Sequence, residues 1–498
     1  MGLRRKLSKM MKRKITMLLS GMVLLLAGCG AKESYDEIKL VSDQEEKIEF
    51  DEVSVHDPSV VAFDGEYYIF GSHLAAAKSD DLMNWEMIGN GVNKSNPIID
   101  DPIKEMQEAF QWAQTGTFWA PDVIQLEDGR FYMYYCNCEG SSPLSCLGIA
   151  VSDSIEGPYE DLGIILKSGM TDTPSENGDF YDATVYPNVV DPCVYFDAEG
   201  KLWMMYGSYS GGIYVLELDT KTGFPMEKGY GKKILGGNHL RIEGPYVIYN
   251  PETEYYYMFL SFGGLDASGG YNIRVCRSKT PDGPFYDYNG TDMLECTGAD
   301  GTFFDDKAAQ QYGMKLMGNY KWNLREGEAG ADRKGLISPG HNSAVYEEES
   351  DKYFLIFHTR FEKKGEMHQV RTHQMFFNEE DWPVVLPYRY TGETQGEYSK
   401  NEVAGVYKYV NHGREISAEL VESQEITLYR DGTVEGAAQG TWKLKNKNQI
   451  EIKIDGITYR GAFSEAYDEN GRKQVMTFTA ASSENGQSIW GSNLEARN

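Results

Sequence analysis

Short apolar, β-branched and aromatic runs alternate with turn residues along most of the chain, and five stretches share one design. "DPSVVAFDGEYYIFGS" begins at Asp57, "APDVIQLEDGRFYMYYC" at Ala120 and "DPCVYFDAEGKLWMMYGS" at Asp191. "GPYVIYNPETEYYYMFLS" begins at Gly244 and "GHNSAVYEEESDKYFLIFHT" at Gly340. Each has a proline or glycine entry, a short apolar strand, an acidic turn and a second, aromatic-rich strand. The Asp-Gly, Glu-Gly and Asn-Pro turns are hairpin signals. Helix-period segments are scarce. Hairpins of one design, at irregular spacings of roughly fifty to a hundred residues, predict five copies of one unit. An all-β fold, a five-bladed β-propeller over 51–392, satisfies this, because its blades are small antiparallel sheets around a central channel. After "WPVVLPYRYTGE" the pattern changes. Residues 395–498 alternate strands and turns, with Asp-Gly at 431 and 455 marking hairpins. They predict a separate small β-barrel or sandwich that packs against the propeller.

In a propeller the first strand of each blade lines the channel. A residue before proline is pushed away from the helical region, which predicts extended entry residues whose side chains reach the axis. Asp57 and Asp191 hold that position in the first and third repeats, and Glu243 stands one residue earlier in the fourth. Three carboxylates from three blades are therefore expected to meet in one cavity. Asp122 falls after its proline and is expected to serve as a structural hydrogen-bond acceptor.

Composition narrows the partners. The 498 residues are 41% hydrophobic and 13% aromatic, with 53 glycines and 34 tyrosines, enough for large β-sheet cores. A formal charge of −28 repels nucleic acid and anionic lipid, and is compatible with a neutral polysaccharide. At the N-terminus a basic segment precedes "ITMLLSGMVLLLAG", which predicts a secretory signal over 1–28. That apolar run is too short for a membrane-spanning helix. "LLLAGC" resembles the bacterial lipobox, which implies lipid on Cys29 and an extracellular, surface-anchored lipoprotein. Residues 29–50 are acidic and polar and read as a tether. Cys136, Cys138, Cys146, Cys193, Cys276 and Cys296 lack zinc-site spacing. They read as small buried hydrophobes, with one disulfide allowed outside the cell.

The motifs "VSVHDPSVV", "FWAPDV", "NVVDPCVYFD", "LWMMYGSYSGGIYVLELD", "GGNHLRIEGPY", "GGYNIRV", "SPGHNSAVY" and "FLIFHTRF" stand in order over roughly residues 52–390. This set resembles glycoside hydrolase family 43, and within it the secreted endo-α-1,5-L-arabinanases that carry a C-terminal domain. The resemblance implies inverting hydrolysis of arabinan, with Asp57 as general base, Glu243 as general acid and Asp191 orienting the acid. Inversion needs two carboxyl groups about 6.5–9.5 Å apart with water between base and sugar. A neighbouring carboxylate and partial desolvation favour the protonated form such an acid needs. His341, in "SPGHNS", matches a histidine associated with one calcium ion at the propeller axis, bound largely through water.

The same motifs imply sugar contacts from Asn188, Val189 and Val190 in "NVVD" and from Ser208, Tyr209 and Ser210 in "GSYSGG". They also imply the Gly140 backbone in "CEGSSP" and Trp119 as a stacking platform. His358 and Arg360 either line the cavity or serve the core. The three cysteines of "YYCNCEGSSPLSCLG" are unusual beside a substrate loop. An exo-acting α-L-arabinofuranosidase or β-xylosidase on the same scaffold is the nearest alternative, and a non-catalytic glycan-binding lipoprotein the more distant one. The chain is expected to act as a monomer.

Overall fold

The computed structural model describes residues 48–326, 328 and 335–497. The expected signal segment, the lipid attachment at Cys29 and the tether up to residue 47 lie outside the described residues.

Each of the five hairpins is the inner half of a four-stranded antiparallel unit whose strands follow chain order. The first strands are Ser59–Phe63, Trp119–Gln125, Cys193–Phe196, Ile242–Asn250 and Gly335–Glu347. Each touches the first strand of the next blade, and the fifth touches the first, so they form a closed ring. That contact pattern is the five-bladed propeller the repeats predict.

The apolar cores lie between blades. Phe70, Ile98, Phe118 and Tyr135 join blades one and two. Tyr134, Leu147, Val189 and Met204 join two and three. Leu235, Val247 and Met258 join three and four. The ring closes where Val53 and Val55 pack against Phe354 and Ile356 of the fifth blade. Fully burying one such side chain is worth about 1.5–3 kcal/mol.

A buried carboxylate ties the inner strands together. Asp122 accepts hydrogen bonds from the Ser59 hydroxyl of blade one and the Val194 N–H of blade three, as well as from its neighbour Val123. Burial pushes its carboxyl up, to about 6, although each of these hydrogen bonds opposes the shift. Asp122 is thus the structural acceptor expected of it. All six described cysteines are free thiols in buried positions, so the disulfide left open above does not form here.

The tail forms a closed barrel of eight strands, beginning at Gly405–Asn411 and ending at Gln487–Ala496. The Asp-Gly pairs at 431 and 455 sit in its hairpins, between Gln424–Leu428 and Thr433–Gly436 and between Gln449–Ile454 and Ile457–Asp468. The barrel has its own core around Tyr407, Ile452, Phe463 and Phe478. It also shares one with the propeller: Val410, Val475 and Trp490 pack with Tyr320, Trp322, Trp382 and Tyr388. A short strand, Val421–Glu422, pairs with Tyr320–Lys321 and so extends the fifth blade's sheet.

Candidate active site

The entries to the inner strands do not have the predicted backbone. Asp57, Ala120, Asp191, Gly244 and His341 hold equivalent places in the five blades, and their φ values are 56, 21, 56, 58 and 43°. Four of the five precede a proline, which disfavours the right-handed helical region for its predecessor and favours the extended one; all five nevertheless take the left-handed region, His341 before Asn342 without a proline. The strand pairing shifts register at Trp119/Asp122, Glu243/Tyr246 and Gly340/Ser343, so blades two, four and five enter through bulges. A bulge re-aims a side chain out of the ladder. The left-handed turn, with or without a bulge, aims Asp57, Asp191 and His341 toward one another, with Glu243 one residue before the left-handed Gly244.

The side chains meet around His341. Its Nδ1 lies 3.1 Å from Oδ1 of Asp57, and its backbone N–H donates to the Ser261 hydroxyl at 2.6 Å. A Cβ on Gly244 would stand 3.1 Å from the His341 ring, so glycine lets the fourth blade's entry lie against it. Oδ2 of Asp191 accepts from the Gly244 N–H at 3.2 Å. Glu243 accepts from the Ser208 hydroxyl at 2.7 Å and from the Tyr271 hydroxyl at 2.5 Å, one on each carboxylate oxygen. Asp57, Asp191 and Glu243 are 5, 7 and 9% exposed, so all three acids are buried yet reach solvent.

Their electrostatics differ. Burial favours a protonated Asp57, but the charges of His341 and His56 and their hydrogen bonds outweigh it and hold the carboxyl well below the usual range. Burial, with repulsion from Glu243 and Asp57, pushes Asp191 up to about 7 against the pull of His341. Burial opposes a charged His341, yet Asp57 and Asp191 raise its imidazole to about 10. One carboxylate is thus kept ionised while its neighbour keeps a proton close to neutral pH.

A second group of side chains fixes Asp57. His56 Nδ1 lies 2.7 Å from Oδ2 of Asp57, and the Ser72 hydroxyl donates to the same oxygen. Nδ1 of His358 accepts the Asp57 N–H at 3.1 Å, and the His358 ring stacks on His56 at 4.0 Å. Arg360, paired with Glu366 at 2.6 Å, places Nη2 3.5 Å from Nε2 of His56.

The expected sugar contacts divide. Ser208 touches Glu243, and Tyr209 and Ser210 follow it in left-handed conformations, with the Tyr209 hydroxyl on the Gly263 carbonyl at 3.2 Å. Asn188 forms an isolated backbone bridge with Ser208 and accepts from the Ser145 hydroxyl at 2.5 Å. Gly140 lies over Trp119, whose ring edge would be 3.8 Å from a Cβ there, and the partly exposed Trp119 indole donates to the Cys138 carbonyl at 2.7 Å. Val189 and Val190 are different: both side chains are buried in the core between blades two and three. The Val189 N–H and the Val190 carbonyl are already paired, to Ser168 and Gly207. These two valines position the "NVVD" segment and present no side chain to the cleft.

Tyr271, His56 and Ser72 belong to the site without having been singled out in the sequence. The one available signal was adjacency: His56 precedes Asp57, and Tyr271 stands in the "GGYNIRV" motif. Gly340 explains the tyrosine, since a Cβ there would lie 1.9 Å from its ring.

Among the described residues, His56, Asp57 and His358 form a group close enough to share an ion. Two imidazoles and one carboxylate suit a softer metal than calcium, and His358 Nδ1 is already engaged. The His341 imidazole stands among three carboxyl groups, oxygen-rich surroundings that fit a hard cation bound through water.

Comparison with known proteins agrees with this geometry. Residues 51–383 match the model of glycosyl hydrolases family 43, and residues 387–491 match a C-terminal lipocalin-like domain. The chain is 54% identical over 444 residues to extracellular endo-alpha-(1->5)-L-arabinanase 2 of Bacillus subtilis, covering 89% of this chain and 93% of that one. It is 48% identical over 452 residues to the extracellular endo-alpha-(1->5)-L-arabinanase of Thermotoga petrophila, covering 89 and 94%. A crystal structure of a family 43 glycoside hydrolase from Bacillus licheniformis superposes with a TM-score of 0.87 at 56% identity, over 90% of this chain and all of that one. The ring of acids at the propeller axis and these matches lead to one assignment: the chain belongs to glycosyl hydrolases family 43 and carries that family's C-terminal domain.

Proposed function

We propose that the protein is an inverting endo-α-1,5-L-arabinanase. The observation that carries this reading is the meeting of Asp57, Asp191 and Glu243 around His341 in a chain of this family. Asp57, kept ionised by two histidines, takes the proton from the attacking water. Glu243 delivers a proton to the leaving glycosidic oxygen. A serine hydroxyl is both donor and acceptor, so Ser208 serves Glu243 before and after that transfer, while Tyr271 fixes the other carboxylate oxygen. Asp191 holds the acid's backbone through Gly244 and keeps a proton in the cluster near neutral pH. Trp119, Gly140, Asn188, Tyr209 and Ser210 supply the sugar contacts around this centre.

The test is incubation with linear, debranched arabinan. A ladder of oligosaccharides at early times is expected, and monomer as the first and sole product would replace this reading with the exo-acting one. Glu243→Gln should lower kcat by about 10²–10⁴-fold, the usual worth of a positioned general acid.

A calcium ion beside His341 is part of the proposal, bound largely through water next to the Asp57 and Asp191 carboxylates. When bound it supplies a fixed positive charge that orders water and charge at the axis. Chelation should lower activity and added calcium should restore it, and indifference to both would remove the ion. Export and anchoring at the bacterial surface through Cys29 complete the reading. Cys29→Ala should then release the protein from the membrane fraction.

A further inference from the structure

Two adjacent phenylalanines stand out of the fold beside the acid. Phe303 is 69% exposed and Phe304 50%. Isolated exposed apolar side chains are ordinary, but these two are held in place. Arg241, two residues before Glu243, grips Asp306 through Nε and Nη2 at 3.1 and 2.5 Å and so fixes the loop that bears them. The Phe304 N–H donates to the His239 carbonyl at 3.3 Å, and the His239 N–H to the Ser210 carbonyl at 2.9 Å. Phe304 meets Tyr209 edge-on at 5.7 Å between ring centres. Phe303 lies flat on the His239 imidazole at 4.2 Å and 9° between planes. One face of Phe303 is therefore backed by a ring, while most of its surface remains open to solvent. Tyr209 follows Ser208, which touches Glu243. An unbroken run of contacts links the carboxyl group to the exposed rings.

We infer that Phe303 and Phe304 form a stacking platform for the leaving-group side of an arabinan chain, that is, for the sugars beyond the scissile bond. The inference rests on the hydrolase reading above, with Glu243 as the acid. The acid protonates the leaving oxygen, so the surface continuous with it receives the departing segment. A furanose ring offers a C–H face that an aromatic face covers well, and a ring fixed in advance loses little entropy on binding. Trp119 and Gly140 belong to the second blade, whereas this platform adjoins the third and fourth. Aromatic surfaces on both flanks would hold the interior of a chain, the grip endo-cleavage needs.

The test compares wild type, Phe303→Ala, Phe303→Trp and the control Phe180→Ala, whose side chain is 84% exposed outside the platform. Each is assayed on arabinohexaose and on an aryl arabinobioside, whose leaving group is a small phenol. For Phe303→Ala the ratio of kcat/KM on hexaose to that on the aryl substrate should fall about tenfold, equivalent to about 1.4 kcal/mol. The loss should sit mainly in KM, and cleavage should move toward the reducing end. Phe303→Trp should restore the ratio, and Phe180→Ala should match wild type. A Phe303→Ala protein that cuts hexaose at wild-type efficiency and positions, or that loses equally on both substrates, overturns the platform alone. A wild type that leaves linear arabinan and hexaose intact overturns the arabinanase reading, and the platform's assignment to arabinan falls with it.

Discussion

At the scale of single residues, the site works by giving three acids unequal surroundings. Asp57 faces three imidazoles and a serine hydroxyl, whereas Asp191 shares the pull of His341 but also faces two carboxyl groups and one backbone N–H. This inequality affects stability. Asp191 is raised above its ordinary value, so the folded state binds more protons than the unfolded chain between about pH 4 and 7, and ionising it costs stability as pH rises through that window. The neutral isostere avoids the cost. Asp191→Asn in calcium-free buffer should therefore gain about 2 °C or more in Tm at pH 8 relative to wild type, and lose that gain near pH 4. An equal or lower Tm at pH 8 would show that the buried charge is compensated. Tyr271→Phe removes one of the two donors to Glu243 and should lower kcat and shift its pH profile while KM changes little, which steady-state kinetics across pH would read.

At the scale of elements, the decisive feature is the left-handed entry of each inner strand. Non-glycine residues in that region cost about 1 kcal/mol or more each, and Asp57, Asp191 and His341 are such residues. The surrounding blades offset this strain, and Asp122 is one of the ties that do so. Asp122→Ala would leave the buried Val194 N–H without its acceptor, and a loss of about 2–4 kcal/mol is expected from urea unfolding. A loss below about 1 kcal/mol would contradict its role as a tie. The hairpins were legible in the chain because their turns and alternating runs are local signals. The convergence of Asp57, Asp191 and Glu243 was legible from repeat position alone. The left-handed backbone was not, because proline biases its predecessor toward extended backbone and the packing of the blades overrides that local bias. Tyr271 was hidden because what seats it, Gly340, is far along the chain. Val189 and Val190 misled because a motif marks a segment, and half the side chains of that segment point into the core.

At the scale of the molecule, the barrel is built into the propeller. Trp490, Val410 and Val475 cover Tyr320, Trp322 and Trp382. Buried propeller cations reach into the barrel's first long loop: Lys315 donates to the His412 and Glu415 carbonyls at 2.9 and 2.8 Å, and Arg274 to the Arg414 carbonyl at 2.5 Å. Lys408 of the barrel pairs with Glu328 at 2.7 Å, both nearly sealed from solvent. A chain ending at residue 386 would expose those tryptophans and strand those cations, and breaking a buried ion pair alone costs about 3–5 kcal/mol. The shortened chain should aggregate, and calorimetry of the full chain should show one transition. A soluble truncated propeller with an unchanged Tm would contradict this coupling.

Hydrolysis in this protein depends on Glu243 giving a proton to the leaving group while Asp57 activates water from across the axis. The most direct test is the activity of Glu243→Gln and Asp57→Asn on linear arabinan and on an aryl arabinobioside whose phenol departs without protonation. Glu243→Gln should lose arabinan cleavage by about 10²–10⁴-fold yet retain most of its turnover of the aryl substrate, and Asp57→Asn should lose both. Rescue of Asp57→Asn instead, or equal losses for both variants on both substrates, would overturn this division of roles between Glu243 and Asp57.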